Sequence, residues 1–247
     1  MILSQAPVPY VSLLPGFAYR TNHELIDLGA GQQWIVAALA LEEAALRRED
    51  LASRLWPDVP APRAMTRLRQ TLWRLNQMTS GQLLKASHTW VALAEPVQVD
   101  YRTAMRSVAS PAGPAFGAGD DSQLPPAWHA LRHPLLPRWD LDWIRPFQET
   151  WHQRRVQALE KLAEMLLNRR QHALVLELAD AAAEADPLRE RPRRIAIQSC
   201  LHSGEYADAH RRFRHYRELL RAELGVSPSD AIPRMLKQTQ RAENAAP

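Results

Sequence analysis

The sequence holds a single cysteine, Cys200, so an intramolecular disulfide is excluded and a reducing compartment fits. Its neighbours Ala196, Ile197 and Leu201 make Cys200 a small packing residue rather than a reactive thiol. Long hydrophobic runs are missing too. None approaches the roughly 18 residues of a membrane helix, and MILSQAPVPY lacks the charged start and oily middle of a signal peptide. A cytoplasmic protein with no membrane partner is expected. The chain has no HExxH, paired CxxC, GxSxG turn, dinucleotide fingerprint or GxxxxGK[ST] phosphate loop. No catalytic residue, metal site or cofactor is therefore expected. His129 and His133 stand four apart near Asp140 and Asp142, but Pro134 and Pro137 interrupt the register that metal ligands would need. His172, His202, His210 and His215 read as packing or surface residues.

The most informative absence is of acids. Between Asp58 and Glu95 lie 36 residues without one Asp or Glu, although 27 acids occur in 247 residues. Simple composition would place about four in such a span. The same span carries Arg63, Arg67, Arg69, Arg74 and Lys85. The whole chain has a formal charge of only +4, so any argument for a polyanionic partner rests on where the charge sits.

What is present belongs to a soluble globular chain, 46% hydrophobic and 23% charged, long enough for two ordinary domains. "YVSLL", "FAYR" and "ELIDL", punctuated by Pro15-Gly16 and Thr21-Asn22-His23, predict short strands. An apolar helix is expected from Gln32 to about Ala45. "RREDLASRLW" is a second helix, stopped at Trp56-Pro57. A third, "PAPRAMTRLRQTLWRLNQM" (60–78), has Pro62 in its first turn. "QLLKA" and "WVALA" then alternate as two strands around Ser87-His88-Thr89. Residues 109–126, rich in Pro, Gly and Ala, predict a flexible loop. Beyond Trp139 nearly everything is helical in pattern, and "DLDW" (140–143) is expected to cap the helix that follows.

A repeat lies in that second half. At an offset of 34, Ala163, Leu166, Leu167, Ala173, Val175, Ala179, Ala182 and Ala185 align with Ile197, Cys200, Leu201, Ala207, Ala209, Phe213, Tyr216 and Leu219. Such a period marks tetratricopeptide-like helical hairpins. Gly204 supplies the turn of the second copy, where the first has Arg170. The expected fold class is mainly α: an N-terminal winged helix-turn-helix with small β-sheets over residues 1–98, then a tetratricopeptide-like all-α helical repeat domain over 99–247. Arginines at 189, 191, 193 and 194 and at 211, 212, 214 and 217 alternate with Glu190, Glu205, Asp208 and Glu218. They predict an ion-paired surface, with a second DNA-contacting patch as the alternative. Hairpin repeats also expose grooves suited to a dimer or regulatory interface.

In the third helix Met65, Leu68, Leu72 and Leu75 form one apolar stripe. Gln70 lies nearly opposite, with Arg63, Thr66, Arg67 and Arg74 beside it. A one-signed basic helix suits double-stranded DNA, whose phosphates release counterions to bound cations. In the major groove Arg pairs with guanine and Gln with adenine. Gln70 and Arg74, one turn apart, are placed for neighbouring bases, and Arg69 on the flank for a phosphate. Lys85, Ser87, His88 and Thr89 in the hairpin are placed for backbone or minor groove. Trp73 also falls on the outward side, either packed beneath the hairpin against Trp90 or resting on sugar-phosphate.

"HPLLPRWDLDWI" (133–144), "ADPLRE" (185–190) and "FRHYRELLRAELGVSPS" (213–229) resemble hallmark segments of the bacterial transcriptional activator domain. "REDLASRLWPDV" with "AMTRLRQTLWRLNQM" resembles the second and third helices of an OmpR-like winged helix. Together the chain, from about Val11 to Leu236, is similar to bacterial transcriptional activators of the antibiotic regulatory protein type. The resemblance implies an activator that binds repeated half-sites, often as a homodimer, and recruits RNA polymerase through its sigma factor. It matches Arg67, Gln70, Thr71 and Arg74 to recognition-helix positions, and "WPDVPAP" (56–62) to the segment facing polymerase. Gln32-Gln33 stand where the family often has arginines, which removes possible phosphate contacts. The hairpin "ASHTWVA" lacks the usual glycines and tyrosine. The alternative is a tetratricopeptide-like protein-interaction adaptor whose winged helix no longer binds DNA.

Overall fold

The computed structural model describes residues 8–22, 24–109 and 126–244. They pack as two compact units, one of residues 8–109 with 126–151 and the other of residues 152–244. The loop expected at 109–126 lies outside the described residues except for its two end positions.

In the first unit, β1 (Tyr10–Ser12), β2 (Ala18–Thr21) and β3 (Glu24–Leu25) form an antiparallel meander. Three helices follow: α1 (Ala30–Leu41), α2 (Arg48–Leu55) after the short strand β4 (Leu46–Arg47), and α3 (Ala61–Met78). The hairpin of β5 (Leu84–Ala86) and β6 (Trp90–Leu93) joins β4 in a second sheet of order β4-β6-β5. The chain then returns as β7 (Gln98–Val99), parallel to β1, and completes the order β3-β2-β1-β7. This is the expected winged helix. Its core is Val11, Leu13, Tyr19, Ile35, Leu39, Leu51, Leu68, Leu75 and Val91, all fully buried.

Two sets of long-range hydrogen bonds tie this unit together. Asp100 opens α4 (Asp100–Ala109) and accepts hydrogen bonds from Ser12 Oγ (2.7 Å) and the backbone N–H groups of Leu13, Leu14 and Tyr101. Burial raises the pKa of its carboxyl, against the opposing pull of those donors. Arg102 donates to the carbonyls of Leu39 and Ala40 at the end of α1. The sequence pattern carries α1 on to about Ala45. Instead it stops at Leu41, because the backbone turns extended at Glu42 and must reach β4. After the single turn α5 (Pro126–His129), Trp151 is buried, donates from Nε1 to the carbonyl of His133 (2.9 Å) and meets the Tyr101 ring edge-on.

Helix α6 (Arg145–Asn168) starts after "DLDW", so Asp140 and Asp142 do not cap it. Both reach the Arg145 guanidinium instead (2.8 and 3.2 Å), while the amides of Phe147 and Gln148 bond to the carbonyl of Ile144. In the second unit α7 (His172–Ala185), α8 (Glu190–His202), α9 (Tyr206–Leu224) and α10 (Ala231–Asn244) follow. The 34-residue offset maps Asn168, the end of α6, onto His202, the end of α8. It also maps His172 onto Tyr206, the starts of α7 and α9. Of the aligned positions, Ala173 and Ala207 are exposed and do not pack, since they sit on the outer side of the first turn of their helices. The other aligned positions are buried or half-buried, and Cys200 is buried beside Ile197, Leu201, Tyr216 and Leu220.

Among the described residues half of the eight clustered arginines pair with acids, three of them with acids distant in sequence. Arg189 pairs with the fully buried Glu160, Arg191 with Glu164 in two-point fashion (2.9 and 2.7 Å), and Arg212 with Asp180 likewise. Arg211 uses a local acid, Asp208.

Both repeat turns pass through left-handed backbone, with φ of 60° at Arg170 and 81° at Gly204. Only glycine adopts this without penalty. Gly204→Ala is expected to lower the stability of the second unit by about 1 kcal/mol, and Arg170→Gly to raise it by up to about 1 kcal/mol. Urea unfolding of the full chain checks both; equal effects in the same direction would contradict the account.

Candidate nucleic-acid interface

The interface is built on α3, and its orientation follows from what it buries. Ala64, Leu68, Leu72 and Leu75 are buried, whereas Met65, expected at the head of the stripe, is only half-buried. The short Ala64 side chain brings the helix close to its neighbours, leaving Met65 at the margin. Opposite this seam Arg63, Thr66, Arg67, Arg69, Gln70 and Arg74 are all exposed. Among the described residues, Arg63, Arg67 and Arg74 have no acidic partner.

The hydroxyls on this helix are turned inward on it. Thr66 donates to the carbonyl of Pro62 (2.9 Å) and Thr71 to that of Arg67 (2.8 Å). Each keeps only its acceptor lone pairs for a ligand. Thr71 is half-buried and its methyl lies close to Gly31 of α1. Arg69 leans on the Thr66 hydroxyl at 3.4 Å.

In the hairpin, His88 and Thr89 are exposed at the tip. Ser87 is half-buried, and its Oγ accepts from the N–H groups of Thr89 and Trp90, so it shapes the turn. Lys85 is exposed and pairs with Glu95 at 2.7 Å, which holds the Glu95 carboxyl below its usual range. An anion at Lys85 would compete with that carboxylate. Trp73 does not pack under the hairpin: it is 64% exposed and Trp90 38%. The hairpin strands are three and four residues long and leave the indole uncovered.

Sequence reasoning missed the work of the two glutamines in α1. Gln32 is buried; its Oε1 accepts from the Gly29 N–H (2.8 Å) and its Nε2 faces Met78 Sδ at the end of α3 (3.1 Å). Gln33 Nε2 donates to the carbonyl of Leu28 (2.6 Å). With Gly29 in place of a Ser, Thr or Asp at the cap, an amide at the third helical position is the only sequence signal for this role. Among the described residues no three His, Cys, Asp or Glu side chains converge as metal ligands, and no helix is long and apolar enough to cross a membrane.

Residues 124–239 match the family model of the bacterial transcriptional activator domain. The chain carries that domain. Over most of its length the chain is also similar to a regulatory protein named AfsR. Identity is 30% over 243 residues with the protein of Streptomyces coelicolor and 26% over 244 residues with that of Streptomyces griseus. These alignments take in 94% and 95% of this chain but 24% of either relative, so the chain spans about a quarter of the length of the curated relatives it matches. A solved structure of Mycobacterium tuberculosis EmbR, in complex with a low affinity phosphopeptide, shares the fold. Its TM-score is 0.71 at 19% identity, covering 96% of this chain and 66% of that one. The resemblance to activators of the antibiotic regulatory protein type is borne out by the domain match and by the two similar regulatory proteins; the EmbR structure bears on the fold alone. The bacterial transcriptional activator domain, as matched, begins upstream of α5 and takes in all of α6 to α9.

Because Gln32 closes the start of α1, Gln32→Ala is expected to cost about 1 kcal/mol in chemical unfolding. An unchanged unfolding midpoint would remove the capping role.

Proposed function

We propose that the protein is a sequence-specific regulator, an activator that binds repeated half-sites on double-stranded DNA through α3 and recruits RNA polymerase through its sigma factor. The observation that carries this reading is the outward face of α3, where Arg63, Arg67, Gln70 and Arg74 stand exposed with no acid among them. A solvated helix gains from mixed charge, because opposite charges one turn apart attract and like charges repel. A face of one sign gains only when a polyanion neutralises it.

Gln70 and Arg74 are assigned to base edges, with Arg63, Thr66, Arg67 and Thr71 beside them. Arg69, Lys85, Ser87, His88 and Thr89 are assigned to the sugar-phosphate backbone or the minor groove. DNA binding is assigned to residues 1–98, and a homodimer contact or regulatory input to residues 99–247, of which 99–109 and 126–151 pack with the first unit. The contact with polymerase is assigned to the loop at 56–62 on family likeness. The site of action is the cytoplasm, and neither a cofactor nor catalysis enters the mechanism.

Selection of bound sites from random DNA, followed by salt titration, tests the reading. Saturable, sequence-selective binding that falls steeply with salt is expected. Gln70→Ala and Arg74→Ala should each cost about 1–3 kcal/mol of discrimination at one base pair. Arg69→Ala should weaken all sequences alike and reduce the slope of log K against log salt by nearly one. Recovery of no preferred site would favour the adaptor, a helical-repeat protein whose winged helix no longer binds DNA.

A further inference from the structure

Trp73 is the one residue on the outward side of α3 whose chemistry the cationic face does not explain. It is 64% exposed and has no hydrogen bond, ion pair or ring partner among the described residues. At about 100° per residue it projects about 60° from Gln70, on the side away from Arg67 and Arg74. Its neighbours one turn away are Arg69, Gln70 and Gln77, all exposed. An indole of this size is worth roughly 1.5–3 kcal/mol or more when buried, so a partner that covers it gains accordingly.

The surroundings restrict that partner. The helix face is cationic and acid-free, so it favours a polyanion over a second protein surface of ordinary composition. Within the major groove of DNA the apolar group on display is the 5-methyl of thymine; the other base-edge groups there are hydrogen-bond donors and acceptors. Indole has a single N–H donor, no acceptor and a broad apolar face. It matches the methyl and little else in the groove.

We propose that Trp73 is a specificity-determining residue that reads thymine, by packing its indole on the 5-methyl group. Gln70 and Arg74 then supply hydrogen bonds on one side of the helix axis and Trp73 an apolar contact on the other. The proposal rests on the DNA-binding reading above.

The test uses the full chain and its selected site, with each thymine replaced singly by deoxyuridine, which deletes only the methyl. Wild-type protein should bind about fourfold more weakly at one or two of these positions, the worth of one buried methyl group. Trp73→Ala should bind the parent site at least as weakly and be indifferent to uridine at those positions, a non-additive pair. Wild-type binding that ignores every uridine overturns the proposal. So does a Trp73→Ala protein that keeps the uridine response, which would place the indole on sugar-phosphate. A fall in melting temperature with Trp73→Ala would mark a packing role and also overturn it. Failure of the wild-type protein to select any site would instead bring down the DNA-binding reading itself, and is thereby distinguished.

Discussion

The rotation of α3 about its own axis governs what the winged helix presents, and burial of Ala64, Leu68, Leu72 and Leu75 fixes that rotation. Each buried leucine contributes roughly 1.5–3 kcal/mol. Turning the helix by one residue would carry Met65, Arg69 and Trp73 inward and the leucines outward, burying a guanidinium that has no acid to meet it. That alternative is steeply unfavourable. The same seam that stabilises the fold therefore aims Gln70 and Arg74 outward.

Many polar groups near this face are already committed to the protein. Gln32 and Gln33 satisfy the first turn of α1 and its approach, Ser87 shapes the hairpin tip, and Thr66 and Thr71 donate back to their own helix. The uncommitted polar side chains on the outward face of α3 are Arg63, Arg67, Gln70 and Arg74. This division explains why a glutamine pair in place of arginines at 32–33 need not weaken the basic face: the pair works on the inside of the domain, and α3 holds the charge.

The second unit follows a different logic. Its helices are seated largely by small and aliphatic residues at the 34-residue period, and Arg189, Arg191 and Arg212 are held by carboxylates of earlier helices, Glu160, Glu164 and Asp180. Glu160 is fully buried, so its guanidinium partners are what make its charge tolerable there. What looks like a second basic patch in one dimension spends three of its eight arginines on joining helices.

Periodicity and punctuation made much of this legible. The apolar spacing of Leu68, Leu72 and Leu75, the proline at the start of α3, the alternation on either side of Ser87-His88-Thr89 and the 34-residue repeat with a glycine at its second turn are patterns along the chain, which is why sequence alone determined them. The acid-free span from 59 to 94 was likewise plain. Only the tertiary structure decided that α1 ends at Leu41, that Trp73 stands in solvent, that Lys85 meets Glu95, that residues 126–151 pack with the first unit, and which acids the arginines choose. Those outcomes turn on groups brought together from distant parts of the chain, where burial and electrostatic pairing compete in space and leave no periodic trace.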